Sequence, residues 1–153
     1  MDRLDALRVL LRESSDLDNP SAEAVAALFQ RLHSMAVVGV SRDPSKVARR
    51  VPSYLAAQGY EVLPVNPHAT RLLGRQACAS LSELPRAVDM VVVFRPSEEA
   101  GAVILEAMGL QGGPAIWLQE GIRADREAAE ARAAGRLVVQ DLCAYKVHRA
   151  LYT

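Results

Sequence analysis

The stretch Met35-Ala36-Val37-Val38-Gly39-Val40-Ser41-Arg42-Asp43-Pro44-Ser45, continued by a basic segment and closed by Glu61-Val62-Leu63-Pro64-Val65-Asn66-Pro67-His68, decides the fold. Ala36 to Val38 reads as a buried strand, Gly39 to Ser45 as a tight loop, the basic segment as a helix, and Glu61 to Val65 as a second strand. Together they form half of a nucleotide-binding unit. The loop carries one glycine where the dinucleotide fingerprint has three, and the second strand ends in Asn66 where an NAD site has a carboxylate. Both departures bear on the class of ligand.

Outward from this unit, apolar runs alternate with helical patterns. Strands are expected at 89–94, 115–118 and 137–139, and helices at 97–108 and 125–134. Such an order implies an α/β, doubly wound, mainly parallel sheet with helices on both faces and a single domain. Gly59 and Gly135 each follow a helix and precede a strand, as left-handed caps do. The region 70–84 is less regular, with a short strand expected near Gln76 to Ala79 and one helical turn before Pro85. Ahead of the unit, Leu4, Leu7, Leu10 and Leu11 share one helical face, and Asn19-Pro20 reads as the cap and first turn of a second helix. The resulting division is a helical arm over 1–34, the nucleotide-type domain over 35–143 and a tail over 144–153. The leading helix packs either on the domain or on another subunit; the sequence leaves both open.

The chain has 153 residues, enough for one core, and half of them are apolar while only 5% are aromatic. Its 18 basic and 18 acidic residues cancel, which argues against nucleic acid as the main partner. No apolar run reaches the roughly 18 residues of a membrane span, and the first residues do not resemble a signal peptide. A cytoplasmic protein that does not use membranes is the expectation. Cys78 and Cys143 stand far apart, outside any metal-binding spacing, and read as free thiols.

An anion site in this protein must therefore be local. In a doubly wound sheet the ligand lies beyond the carboxyl ends of the strands, where backbone N–H groups and a helix dipole attract negative charge. Gly39 to Ser45 occupies that place, with Ser41 and Ser45 as hydroxyl donors. Arg42, Lys46, Arg49 and Arg50 follow, but helical rotation turns Arg49 and Arg50 to different sides, leaving Arg42 and Lys46 as the leading phosphate contacts. A turn glycine beside a solvated basic face would read the same way. Pro52 is awkward inside a helix and predicts a kink or a later helix start. Asn66 can hydrogen-bond a ribose or adenine without repelling phosphate, and a protonated His68 can pair with a 3′-phosphate; plain turn chemistry at Asn66-Pro67 is the alternative.

Taken in order, Val37-Val38-Gly39-Val40-Ser41, Gln58-Gly59-Tyr60-Glu61-Val62, Pro64-Val65-Asn66-Pro67, Ser80-Leu81, Glu83-Leu84-Pro85, Val88-Asp89 and Trp117 with Gln119 and Gly121 resemble the stand-alone CoA-binding proteins. That family shares the fold of the N-terminal domain of the succinyl-CoA synthetase α subunit, and the resemblance runs from about Met35 to Cys143. It implies a Rossmann-like domain with CoA, or an acyl-CoA, in its crevice. By matching position, Gly39, Val40, Ser41, Arg42 and Lys46 would meet the diphosphate, while Asn66, Pro67 and His68 would border the adenosine and its 3′-phosphate. The family commonly has a lysine where His68 stands, which weakens charge pairing near neutral pH. Phe94, Arg95 and Pro96 would wall the pantetheine arm; read alone, Arg95-Pro96-Ser97 is a loop leading to a Ser-capped helix. Gln119 and Gly121 would lie near the thiol end, with an ordinary strand-to-helix loop as the alternative and Trp117 in the core. Cys143 would contact the thiol, as the family often has Asp-x-Cys at this point, but the basic tail after it departs from the family pattern.

The synthetase that the chain resembles uses a phosphorylated histidine in a second domain, and none of His33, His68 and His148 replaces it. His33 closes a helix and His148 is expected at the surface of the tail. No nucleophile elbow or Walker loop is present. The reading is a non-catalytic carrier or sensor of CoA, without a metal. The alternatives are a small NADP-dependent reductase, a CoA-binding subunit completed by a separate ligase chain, and a redox role in which Cys143 forms a mixed disulfide with CoA. A homo-oligomer or a partner subunit stays open.

Overall fold

Side chains alternate along each main strand between two apolar layers, and this places helices on both sides of the sheet. The computed structural model describes residues 2–153. In chain order the helices are α1 (Arg3–Glu13), α2 (Ala22–Arg31), α3 (Val47–Ala57), α4 (Ser97–Met108), α5 (Asp125–Ala133) and α6 (Ala144–Tyr152). The strands are β1 (Ser34–Val38), β2 (Glu61–Val65), β3 (Arg71–Leu72), β4 (Arg75–Gln76), β5 (Met90–Val93), β6 (Ala115–Leu118) and β7 (Val138–Val139). Five strands pair in parallel in the order β2-β1-β5-β6-β7, while β3 and β4 form a separate antiparallel hairpin. This is a Rossmann-like, doubly wound α/β domain.

Met35, Val37, Met90, Val92 and Trp117 face a layer built from α1, α2, α3 and α6. Ala36, Val38, Val91, Val93, Ile116 and Leu118 face the opposite layer, built from α4 and α5. Period-two alternation thus gives a strand buried on both sides, as a parallel sheet requires. The strong bias toward Val and Ala suits that burial. Among the described residues no helix is long and apolar enough to cross a membrane.

Several local expectations are met: α4 and β6 keep their expected bounds, a 3-10 turn occupies Leu81–Glu83, and Gly59 and Gly135 have φ of +102° and +85°. Others change. The α2 cap is Ser21, whose hydroxyl accepts the Ala24 N–H at 3.2 Å, and not Asn19. Ser97 is the first residue of α4 after Pro96, and its hydroxyl accepts the Arg123 N–H at 3.1 Å instead of capping its own helix. The strand expected near Gln76 to Ala79 is the shorter β4, followed by a single bridge from Val65 to Cys78. Leu73 and Gly74, with φ of 55° and 73°, turn the β3–β4 hairpin and leave room for only two paired residues per strand.

The segment 14–19 is fastened to the β7 end of the sheet. Ser14 Oγ and Asn19 Nδ2 each donate to the Gln140 carbonyl at 3.0 Å, and Arg132 reaches the buried Asp16 at 3.0 Å. Burial opposes charge on Asp16, yet donors from Gln140, Asp18 and Arg132 hold its carboxyl below the usual range. Leu7 is fully buried, and α1 packs against α6.

Candidate functional site

β1 lies between β2 and β5, so the strand order reverses there and a crevice opens beyond the carboxyl ends of β1 and β5. Gly39 follows β1 with φ of +95° and donates its N–H to the Val65 carbonyl at 3.0 Å. A Cβ there would lie 3.1 Å from Arg95 Cδ and 3.3 Å from the Phe94 carbonyl group. Glycine is therefore required both by backbone conformation and by the close approach of the β5 end. Val40 turns its side chain into the core at 1% exposure. Asn66 Nδ2 donates to the Val40 carbonyl at 3.1 Å, and its Oδ1 accepts the His68 N–H at 2.8 Å. This amide ties the ends of β1 and β2 together and shapes the following turn. Pro67 and His68 are exposed.

The loop between β1 and α3 is organised by its own short polar side chains. Ser41 Oγ accepts the Asp43 N–H at 3.0 Å, and Asp43 Oδ1 accepts the Ser45 N–H at 2.9 Å and hydroxyl at 2.7 Å. The Ser45 hydroxyl, then its N–H, hold the Asp43 carboxyl below the usual carboxylate range. Helix α3 then starts one residue after Lys46, which occupies the cap position without a side-chain cap bond, and its first turn contains no acid. Arg49 and Arg50 N–H groups both donate to the Lys46 carbonyl, at 3.0 and 2.9 Å. Among the described residues the N–H groups of Val47 and Ala48 meet no protein acceptor. Free donors, a helix dipole and the Lys46 ammonium together favour an anion. Pro52 lies inside α3, whose regular part begins only at Val47.

A cleft of about 700 Å³ runs from this helix start. Its walls are the Lys46, Val47, Val51 and Tyr54 side of α3, Phe94 after β5, Gln119 and Ile122 after β6, and Cys143 with Tyr145 at the start of α6. Four expected site residues thus meet on one cavity: Lys46, Phe94, Gln119 and Cys143. Asn66 and Pro67 line a separate groove of about 530 Å³ with Cys78 and Ala79. Gly39, Val40, Ser41, Arg42, His68, Arg95, Pro96 and Gly121 line neither hollow. Arg95 is engaged on α4, with one guanidinium nitrogen 2.9 Å from both Glu99 carboxylate oxygens.

The β6 and β7 ends are built with equal care for hydrogen bonding. Gln119 is 3% exposed, and its Oε1 accepts the Ala144 N–H at 2.8 Å, satisfying one donor at the start of α6. Trp117 is a core residue whose indole N–H donates to the Leu142 carbonyl at 2.7 Å. Asp141 has φ of 54°, and its carboxylate accepts N–H groups from Gly121 at 2.6 Å and Ser15 at 2.7 Å. Burial opposes its charge, but the Ser15 and Gly121 donors prevail and lower its pKa. Cys143 sits between these anchored segments at 5% exposure.

Sequence reasoning missed Tyr54, Tyr145, Val47, Val51 and Ile122. Val47, Val51 and Tyr54 were detectable, since their spacing puts them on one side of a helix. His148 also departs from its expected surface position: α6 docks it in the core at 5% exposure, where its Nδ1 lies 2.8 Å from the Tyr54 hydroxyl. Phe29, Tyr60 and Tyr152 surround the ring, and burial lowers its pKa. At the cleft edge Lys146 and Glu120 form an exposed ion pair at 2.8 Å. The whole arrangement can hold an anionic group at the start of α3 and an apolar chain along its side.

The chain is similar to known proteins. The model of the CoA binding domain family matches residues 33–149. The uncharacterized protein YneT of Bacillus subtilis is 34% identical over 132 residues, spanning 86% of this chain and 97% of its own. The α subunit of the ADP-forming acetate–CoA ligase II of Pyrococcus furiosus is 30% identical over 111 residues, covering 67% of this chain but only 24% of that subunit. A solved structure from Thermus thermophilus superposes with a TM-score of 0.80 at 39% identity, over 85% of this chain and 98% of the other.

Proposed function

Because the chain belongs to the CoA binding domain family, we propose that it binds coenzyme A or an acyl-CoA without transforming it, as a cytoplasmic carrier or sensor. The observation that carries this reading is the cleft itself: it joins the first-turn N–H groups of Val47 and Ala48 and the Lys46 ammonium to an apolar wall of Val51, Tyr54 and Phe94. A diphosphate suits the first part and a pantetheine arm the second. Asn66, Pro67 and His68 border the adenosine in this reading, with Gly39 to Arg42 supporting the diphosphate loop. Gln119, Gly121 and Cys143 lie toward the thiol.

Isothermal titration calorimetry tests it. CoA is expected to bind more tightly than NAD or NADP, and Lys46→Ala should weaken CoA by about tenfold, the usual scale for losing one charge-assisted contact. A preference for NAD or NADP over CoA would overturn the reading.

The ligase α subunit among the relatives supports a second reading, in which this chain supplies the CoA site to a separate acid-activating subunit. The chain spans about a quarter of that relative. Co-purification with a nucleotide-binding subunit that forms an acyl-CoA only in the presence of this chain would favour it.

A further inference from the structure

We infer that Pro52 is a positioning residue for the binding loop, acting through the carbonyl that it leaves free. In an uninterrupted helix the N–H of residue 52 would donate to the carbonyl of residue 48. Proline has no N–H, so the Ala48 carbonyl loses its intrahelical donor. That oxygen instead accepts the Ser41 N–H at 3.0 Å. A break in the α3 ladder thus serves as the attachment point of the loop that precedes α3.

The bond has two consequences for the site. It holds Ser41 against the second residue of α3 while the Ser41 hydroxyl, the Asp43 carboxylate and the Asp43 carbonyl organise the rest of the loop as far as Lys46. It also commits the Ser41 N–H to the helix, whereas among the described residues the N–H groups of Val40, Arg42, Val47 and Ala48 meet no protein acceptor. Pro52 is buried on α3 one residue after Val51, which lines the cleft. The loop is therefore fixed before any ligand arrives, and binding avoids the cost of ordering it.

Pro52→Ala tests this, since alanine restores the N–H and suits a helix. Amide hydrogen exchange followed by NMR should show a protected amide at the new residue 52 and lost protection at Ser41. CoA affinity should fall about threefold to tenfold, the equivalent of one hydrogen bond, while the melting temperature holds or rises. A merely structural proline would lower the melting temperature and leave the Ser41 amide protected; that result overturns the inference. The affinity arm rests on the CoA reading, whereas Ser41 exchange does not. Wild-type protein that fails to bind CoA would overturn the proposed ligand, and unchanged Ser41 exchange would overturn the role of Pro52.

Discussion

At the scale of single residues, His148 has the sharpest consequence. Its Nδ1 shares a hydrogen bond with the Tyr54 hydroxyl, and the rings of Phe29, Tyr60 and Tyr152 pack around it. Burial lowers its pKa, so the unfolded chain takes up a proton near the ordinary histidine value of about 6.5 while the folded chain resists until lower pH. The unfolded state then holds more protons, and stability declines as pH falls from that value toward the folded pKa. Denaturant titrations at pH 7.5 and pH 5.5 should therefore show a loss in the wild type that is smaller in His148→Phe. Asp141 acts in a lower window: its folded pKa is depressed, so its contribution is present above the unfolded carboxylate value and is lost as pH falls through the folded one. Residue roles were the least legible part of the sequence. Asn66 and Gln119 stood out as polar residues at strand ends, but their bonds to Val40 and Ala144 depend on partners brought together by the fold. His148 misled because most of the rings around it come from α2, α3 and Tyr60, far away in the chain.

The connection from β1 to α3 shows what is written at the scale of elements. Gly39 combines a left-handed backbone with a contact to the Phe94–Arg95 segment closer than most side chains permit. Gly39→Ala should cost about 1–2 kcal/mol from the backbone alone, read as a lower denaturant midpoint. Helix and strand positions were largely legible because they rest on short-range periodicity: Val and Ala runs for the strands, and the repeating apolar face of α4. Caps were less so. Asn19-Pro20 and Ser97 both have cap-like composition, yet Ser21 and Pro96 hold those positions, since long-range partners on Gln140 and Arg123 engage the expected residues. Pro52 is the informative case. Its conflict with a helix was visible in the sequence, but the receiving partner, the Ser41 N–H, is defined only when the loop folds back on α3.

Across the whole molecule, two apolar layers sandwich the sheet, and the layer on the α3 side depends on both ends of the chain. Leu7, a residue of α1, is fully buried, and α1 packs on α6. Leu7→Ala should destabilise the protein by about 2–5 kcal/mol, as cavity-forming changes of this type do, measured by chemical denaturation. The parallel, doubly wound architecture was legible from the order of strands and helices; the docking of α1 was not, because an amphipathic helix has the same pattern whether its partner is its own domain or another chain. Trp117 joins this core to the cleft. It is the chain's one tryptophan, it meets Phe29 edge-to-face at 5.6 Å, and it bonds to the carbonyl of Leu142, the residue before Cys143. The protein consequently carries a built-in optical reporter: its indole emission originates from a single water-excluded ring, one residue removed from the cavity wall, so the same signal that follows unfolding is positioned to register occupancy without any attached dye.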